Sequence, residues 1–172
     1  MRIAISEYSP LWPKIFDDEA ALLARQLPGS AVIEHIGSTA VPGLAAKPVI
    51  DILIGLADFA QANSFVPRIE QLGYEYVPQY ETEMPFRRFF RKEQSGVRTH
   101  HIHMVAIGTD FWQRHLRFRD YLRTHPETAA QYAALKHTLA ARDWQDMNEY
   151  ADAKTDFIRS VEAEAARQCE KS

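Results

Sequence analysis

The sequence predicts a single α/β domain of the α+β kind, with a mixed sheet built by the first 107 residues and a helical C-terminal half. Three observations carry this. Residues 49–54, VIDILI, are apolar on both faces apart from Asp51, the pattern of a central strand covered on both sides. Residues 86–92 and 97–107 are two further strand-like runs joined by Ser95-Gly96, the signature of a hairpin. From Thr109 onward the strand signal stops and helical periodicity takes over.

Each element follows from local chemistry. Ser9-Pro10 opens a helix whose apolar residues Leu11, Ile15, Leu22, Leu23 and Leu27 recur near helical spacing, and Pro28-Gly29 stops it. Residues 31–36 read as a short strand. A loop rich in glycine and proline, residues 37–44, leads to the central strand. Asp58 can cap a helix that runs to about Leu72 and ends at Gly73. Residues 74–77 form a short strand before the hairpin. Three helices are expected after it, over residues 111–124, 126–142 and 146–166, with Pro126 at the first position of the second.

The 172-residue chain has a formal net charge of -3, so it carries no global basic field for non-specific nucleic-acid binding. Its one cysteine, Cys169, lies close to the end of the sequence and offers no intrachain disulfide. No signal-peptide pattern or membrane-length apolar run occurs, so a cytoplasmic location is the expectation. No internal repeat or long linker divides the chain, and the oligomeric state leaves no mark on it.

Four features can carry chemistry. Asp51 is a lone carboxylate in an apolar strand, which requires a partner: backbone groups of the 37–44 loop, a cation or a metal. Gly37-Ser38-Thr39 follows a strand directly, where a glycine permits a sharp turn and free N–H groups can cradle a phosphate. In Thr99-His100-His101-Ile102-His103, alternation points His101 and His103 the same way, and two such histidines can share a metal with a carboxylate. The Arg87-Arg88 pair offers one arginine to each face of its strand, either able to reach a phosphate or to guard a solvated edge.

These pieces together resemble the GrpB family. The resemblance is carried by Ile33-Glu34-His35-Ile36-Gly37-Ser38-Thr39-Ala40-Val41-Pro42-Gly43-Leu44 and by Ala46-Lys47-Pro48-Val49-Ile50-Asp51-Ile52. It continues through Tyr8, Trp12, Phe16 and Glu19, through Arg87-Arg88-Phe89-Phe90 and His101-Ile102-His103, and through Tyr132, Leu135-Lys136, Tyr150 and Lys154. It implies a nucleotidyltransferase-like fold, in which a Gly-Ser turn holds nucleotide phosphates and carboxylates spaced Asp-x-Asp hold divalent metal. Carried over by position, Gly37 and Ser38 are the phosphate turn and Asp51 the first carboxylate. Leu53 stands where the second carboxylate belongs, and His101 and His103 occupy the later strand in place of an acid. Some members are fused to dephospho-coenzyme A kinase, which points toward nucleotide or cofactor metabolism.

Three functional readings follow. In the first, a nucleotidyltransferase-like enzyme binds a nucleoside triphosphate through Gly37, Ser38 and Thr39. Asp51, His101 and His103 then hold one divalent metal (Mg²⁺, Mn²⁺ or Zn²⁺), and Lys47, Arg88 or Lys154 neutralises phosphate charge. Glu34 and His35 are the candidate bases. In the second, the same fold binds a nucleotide or metabolite without turnover. In the third, Asp51, His101 and His103 form the two-histidine, one-carboxylate centre of a metalloenzyme. The expected partner in the first two is a small phosphate or nucleotide ligand, with no membrane.

Overall fold

The computed structural model describes residues 2–170. Helix α1 (Leu11–Ala24) precedes strand β1 (Val32–Ile36), a single 3₁₀ turn (Ser38–Ala40) and the central strand β2 (Ile50–Leu56). Helix α2 (Ala62–Glu70), the two-residue β3 (Glu75–Tyr76) and the hairpin β4 (Arg88–Gln94) and β5 (Val97–Ala106) follow. Helices α3 (Asp110–Thr124), α4 (Pro126–Ala140), α5 (Met147–Asp152) and α6 (Thr155–Glu170) complete the chain. The fold is the mixed sheet flanked by helices that the sequence predicts.

The sheet runs in the order β1-β2-β5-β4-β3. Only β2 and β5 are parallel; the other three pairings are antiparallel. Register decides which residues share a face. Asp51 sits opposite His101, Leu53 opposite His103, and His103 opposite Phe89. Ile52, Ile102 and Phe90 form the equivalent row on the other face.

That second face is the main core. Ile50, Ile52 and Ile54 of β2, with Phe90, Ile102 and Met104, pack under Trp12 and Leu23 of α1 and Phe65 and Ile69 of α2. The face that carries Asp51 is covered instead by the C-terminal helices. Leu53 and Val105 pack with Ile36 and with Phe111 and Trp112 of α3. Phe118, Leu122, Tyr132 and Val161 from α3, α4 and α6 close on Val41 and Leu44 of the loop after β1. Gly55 makes the close approach of α3 workable, since a Cβ there would lie 2.5 Å from the Trp112 ring.

One expected element divides. The predicted helix over residues 146–166 is two helices, broken at Ala153 and Lys154. Asp146 caps the first, its carboxylate accepting from Asn148 and Glu149 N–H groups. The stripe Tyr150, Lys154, Phe157, Val161 keeps a helical period across the break, with no glycine or proline to mark it. The two segments serve different clusters. Tyr150 packs with Ile3 and Leu139, while Phe157 and Val161 pack with Tyr132 and Phe118. The break at 153–154 turns Lys154 toward the Asp51 face of the sheet.

Candidate functional site

The turn after β1 is built around one glycine. Gly37 has φ +74°, a conformation that side chains resist, and a Cβ on it would sit 2.6 Å from Asp51 Oδ2. The backbone at Gly37 thus lies directly against the Asp51 carboxylate. Ser38–Ala40 then winds one 3₁₀ turn, whose leading N–H groups have no acceptor within it.

A cavity of about 350 Å³ opens at this point between sheet and helices. Its floor is Ile36, Gly37, Ser38, Asp51 and His103; its walls are His115 and Phe118 of α3, Tyr132 of α4, and Lys154, Ile158 and Glu162 around α6. Gly37, Ser38, Asp51, His103 and Lys154 were all legible in the sequence, and the fold brings them together.

Lysines supply the positive charge. Lys136, on α4, is 3 % exposed and donates to Ser38 Oγ at 2.9 Å and to the Ala45 carbonyl. Burial pushes its ammonium down to about 7, with Lys154 adding to the effect. Lys154 lies over the Tyr150 ring, 4.2 Å from its centroid; burial lowers it to about 8, opposed by Asp51. Lys47 is half-buried, donates to Met147 Sδ at 3.5 Å, and is likewise lowered by burial. None of the three belongs to an ion pair among the described residues.

His101 is held at both ring nitrogens and His103 at one. His101 Nδ1 lies 3.2 Å from Asp51 Oδ1, while its Nε2 lies 3.3 Å from the Arg98 guanidinium, which can only donate. His103 Nδ1 is 3.1 Å from Arg87 Nη1. Burial holds His103 well below its ordinary value, with Arg87 adding to the effect.

Five sequence expectations change in the structure. Arg88 is on the opposite face: it donates to Asn63 Oδ1 at 2.7 Å and stacks over Phe59, both on the α2 side. Arg87, its neighbour, is the arginine behind the pocket. The Thr39 hydroxyl points inward, accepting from His35 Nε2 at 2.9 Å and donating to the Val49 carbonyl at 3.3 Å, so only its backbone is offered to a ligand. His35 itself is buried on the α1 side, stacked on Phe16 at 4.7 Å, and burial lowers it to about 4. Glu34 is locked by Arg119 at 2.6 Å. Neither candidate base is free to act.

The fourth change concerns metal, and the fifth Asp51. Among the described residues no three His, Cys, Asp or Glu side chains form a set able to hold an ion. His101 has both ring nitrogens occupied, His103 is backed by a cation, and Leu53, fully buried, fills the second carboxylate position. The donor set does not fit the paired divalent metals of nucleotidyl transfer, which want clustered oxygen ligands. Asp51 is not sealed in the core either: its side chain is 31 % exposed, and its partner is His101 rather than the 37–44 loop.

Sequence reasoning missed Lys136, His115 and Tyr132 as site residues. The signal was present. Lys136 falls on the buried stripe Tyr132, Lys136, Leu139, and His115 on the stripe Phe111, His115, Phe118, Leu122. A polar residue on an apolar stripe marks either a satisfied core group or a site.

A parallel β2–β5 pair with a Gly-Ser turn leading into it, and helices stacked over the resulting pocket, define a nucleotidyltransferase-like fold. The crystal structure of Cid1 poly(U) polymerase with Mg and 3′-dATP bound superimposes with a TM-score of 0.54, at 12% identity over 77% of this chain and 42% of that one. The chain belongs to the GrpB family, whose model, described as GrpB protein, matches residues 2–164. BH1888, a UPF0157 protein of Halalkalibacterium halodurans, is 38% identical over 160 residues, covering 92% of this chain and 80% of that protein. The crystal structure of conserved protein GrpB from Enterococcus faecalis matches with a TM-score of 0.86 and 37% identity, over 96% of this chain and 98% of that one. No helix among the described residues is long and apolar enough to cross a membrane.

Proposed function

We propose that the pocket binds a nucleoside triphosphate or a related phosphate ligand, held by lysines and the Gly37-Ser38 turn rather than by a pair of metal ions. The observation that carries this is the contact between Lys136 and Ser38. A buried ammonium with no carboxylate partner is costly, and an anion at the turn relieves that cost. Lys154 and Lys47 add two more unpaired cations on the same side. The turn contributes N–H groups that suit a phosphate oxygen.

Asp51 has a different role in this reading. It stands beside the anion site, with His101, as a carboxylate able to accept a hydrogen bond from a ligand hydroxyl. The shared fold with Cid1, whose crystal structure holds 3′-dATP, makes ATP the first nucleotide to test.

The deciding experiment is calorimetric titration of metal-stripped protein with tripolyphosphate and with ATP, each with and without Mn²⁺. Binding is expected without metal, to weaken about tenfold (~1.4 kcal/mol) in Lys154→Ala, and to be retained in Asp51→Asn. Binding that requires Mn²⁺ and disappears in Asp51→Asn would return the site to metal. No binding by the wild-type chain would sink the phosphate reading.

A further inference from the structure

Two imidazoles line the deep end of the pocket, and their partners force them into opposite tautomers. Arg87 Nη1 lies 3.1 Å from His103 Nδ1. A guanidinium has only donors, so Nδ1 must accept, and the ring hydrogen of neutral His103 sits on Nε2. His115 Nδ1 lies 2.7 Å from the Phe111 carbonyl oxygen. A carbonyl only accepts, so Nδ1 donates, and Nε2 of His115 is a bare lone pair. The rings are nearly parallel, 29° apart, with centroids separated by 6.2 Å. Burial lowers both below the ordinary histidine value, so both are neutral near pH 7.

Arg87 is otherwise hard to account for. It is 8 % exposed, its Nε has no partner, and three rings surround its guanidinium, those of Tyr80, Phe89 and Phe111. Its ring contacts are cation–π in kind, and its one side-chain hydrogen bond among the described residues fixes the His103 ring.

We propose that His103 and His115 form a hydroxyl-reading pair, in which one alcohol oxygen of the ligand accepts from His103 Nε2–H and donates to His115 Nε2, with Arg87 as the positioning residue. This rests on the phosphate reading of the same pocket and names a second group the ligand carries. An alcohol is the class that fits, because it gives and accepts one hydrogen bond at a single atom. A carboxylate or phosphate oxygen only accepts and meets the His115 lone pair unfavourably; an ammonium only donates and meets the His103 N–H. His103 is two residues further along β5 than His101, which pairs with Asp51, so the hydroxyl site lies on the far side of Asp51 from the Gly37-Ser38 turn, level with Leu53 of β2 and Glu34 of β1.

Two measurements test this. Long-range ¹H–¹⁵N NMR of the wild-type chain should show His103 protonated at Nε2 and His115 at Nδ1, and Arg87→Met should give His103 a mixed tautomer. Finding the two rings in the same tautomer, or His103 unchanged in Arg87→Met, overturns the positioning role and the pair with it. Calorimetry then compares tripolyphosphate, which has no alcohol, with ATP, which has two ribose hydroxyls. His115→Phe, which keeps the stack on Phe111, should weaken ATP about tenfold and leave tripolyphosphate unchanged. Equal ATP binding in the variant overturns the hydroxyl assignment alone. Loss of both ligands also overturns it, by giving His115 a role in the fold or the phosphate site. Binding of neither ligand by wild type overturns the phosphate reading and this inference together.

Discussion

Lys136 Nζ lies 2.9 Å from Ser38 Oγ, joining residues 98 apart in sequence, and the ammonium is buried beside the turn. Its depressed pKa of about 7, with Lys154 at about 8, makes protonation and ligand binding one equilibrium. An anion bound beside these groups favours their charged forms, so binding should take up protons at pH 8. Titrating tripolyphosphate at pH 8 in two buffers of different ionisation enthalpy should show net uptake, and affinity should fall as pH rises past 8. A heat independent of buffer would contradict the lysine cradle.

The same lysine links stability to pH. Lys136 is depressed in the folded chain to about 7, while an unfolded lysine keeps its ordinary value near 10.5. Between those values the unfolded state binds the extra proton, so stability rises with pH across that window and is lowest below pH 7. Urea denaturation should show an increase on the order of a few kcal/mol from pH 7 to pH 10. Lys136→Met should flatten that slope.

His35 acts at the acid end. Burial lowers it to about 4 against an ordinary 6.5, so below 6.5 the unfolded chain takes up a proton that the fold refuses. Stability contributed by neutral His35 is complete above pH 6.5 and is lost as pH falls toward 4, by up to ~3 kcal/mol. His35→Phe should blunt the acid loss, because phenylalanine retains the stack on Phe16. Thr39→Val should instead cost about 1–3 kcal/mol at pH 7, by stranding the His35 N–H.

Gly37→Ala should damage the site more than its size suggests. The added Cβ meets Asp51 Oδ2 at 2.6 Å in a backbone of positive φ. Loss of tripolyphosphate binding with a lowered melting temperature is expected, and normal affinity would show that the turn is not where the anion sits.

Leu53→Asp restores the Asp-x-Asp spacing on paper. Leu53 is fully buried among Ile36, Val105 and Trp112, so a carboxylate there is desolvated with no partner. The variant should unfold at lower temperature, by at least ~3 kcal/mol of stability, and gain no Mn²⁺ binding in calorimetry.

Much of this was legible in residue order. Alternation through VIDILI placed Asp51 and Leu53 on one face, and the sharp backbone turn at Gly37 and the hairpin are where the residue order put them. The same alternation put Arg87 and Arg88 on opposite faces but could not say which face held the pocket, because that depends on where the helices dock. The break before α6 left no trace, since the stripe from Tyr150 to Val161 keeps its period through it. Two charged or polar groups on buried stripes, Lys136 and His115, were visible as anomalies, yet their partners lie 98 and 12 residues away across folded contacts. Hydrogen-bond directions, which settle the histidine tautomers and disfavour a metal, need coordinates.

The pocket's floor comes from residues 36–51 and its roof from residues 151–162, with β5 and α3 between them. Lys136–Ser38, Arg123–Ala40 and Lys47–Met147 are stitches across a seam, each joining residues more than 80 apart. Closing such wide loops is entropically late. The cavity therefore assembles only when the last helices dock, and a ligand in it would act as a clasp between the two ends of the chain. Amide exchange in α5 and α6 should then slow on ligand binding before that of the sheet does, so that occupancy of the pocket reports the completion of folding.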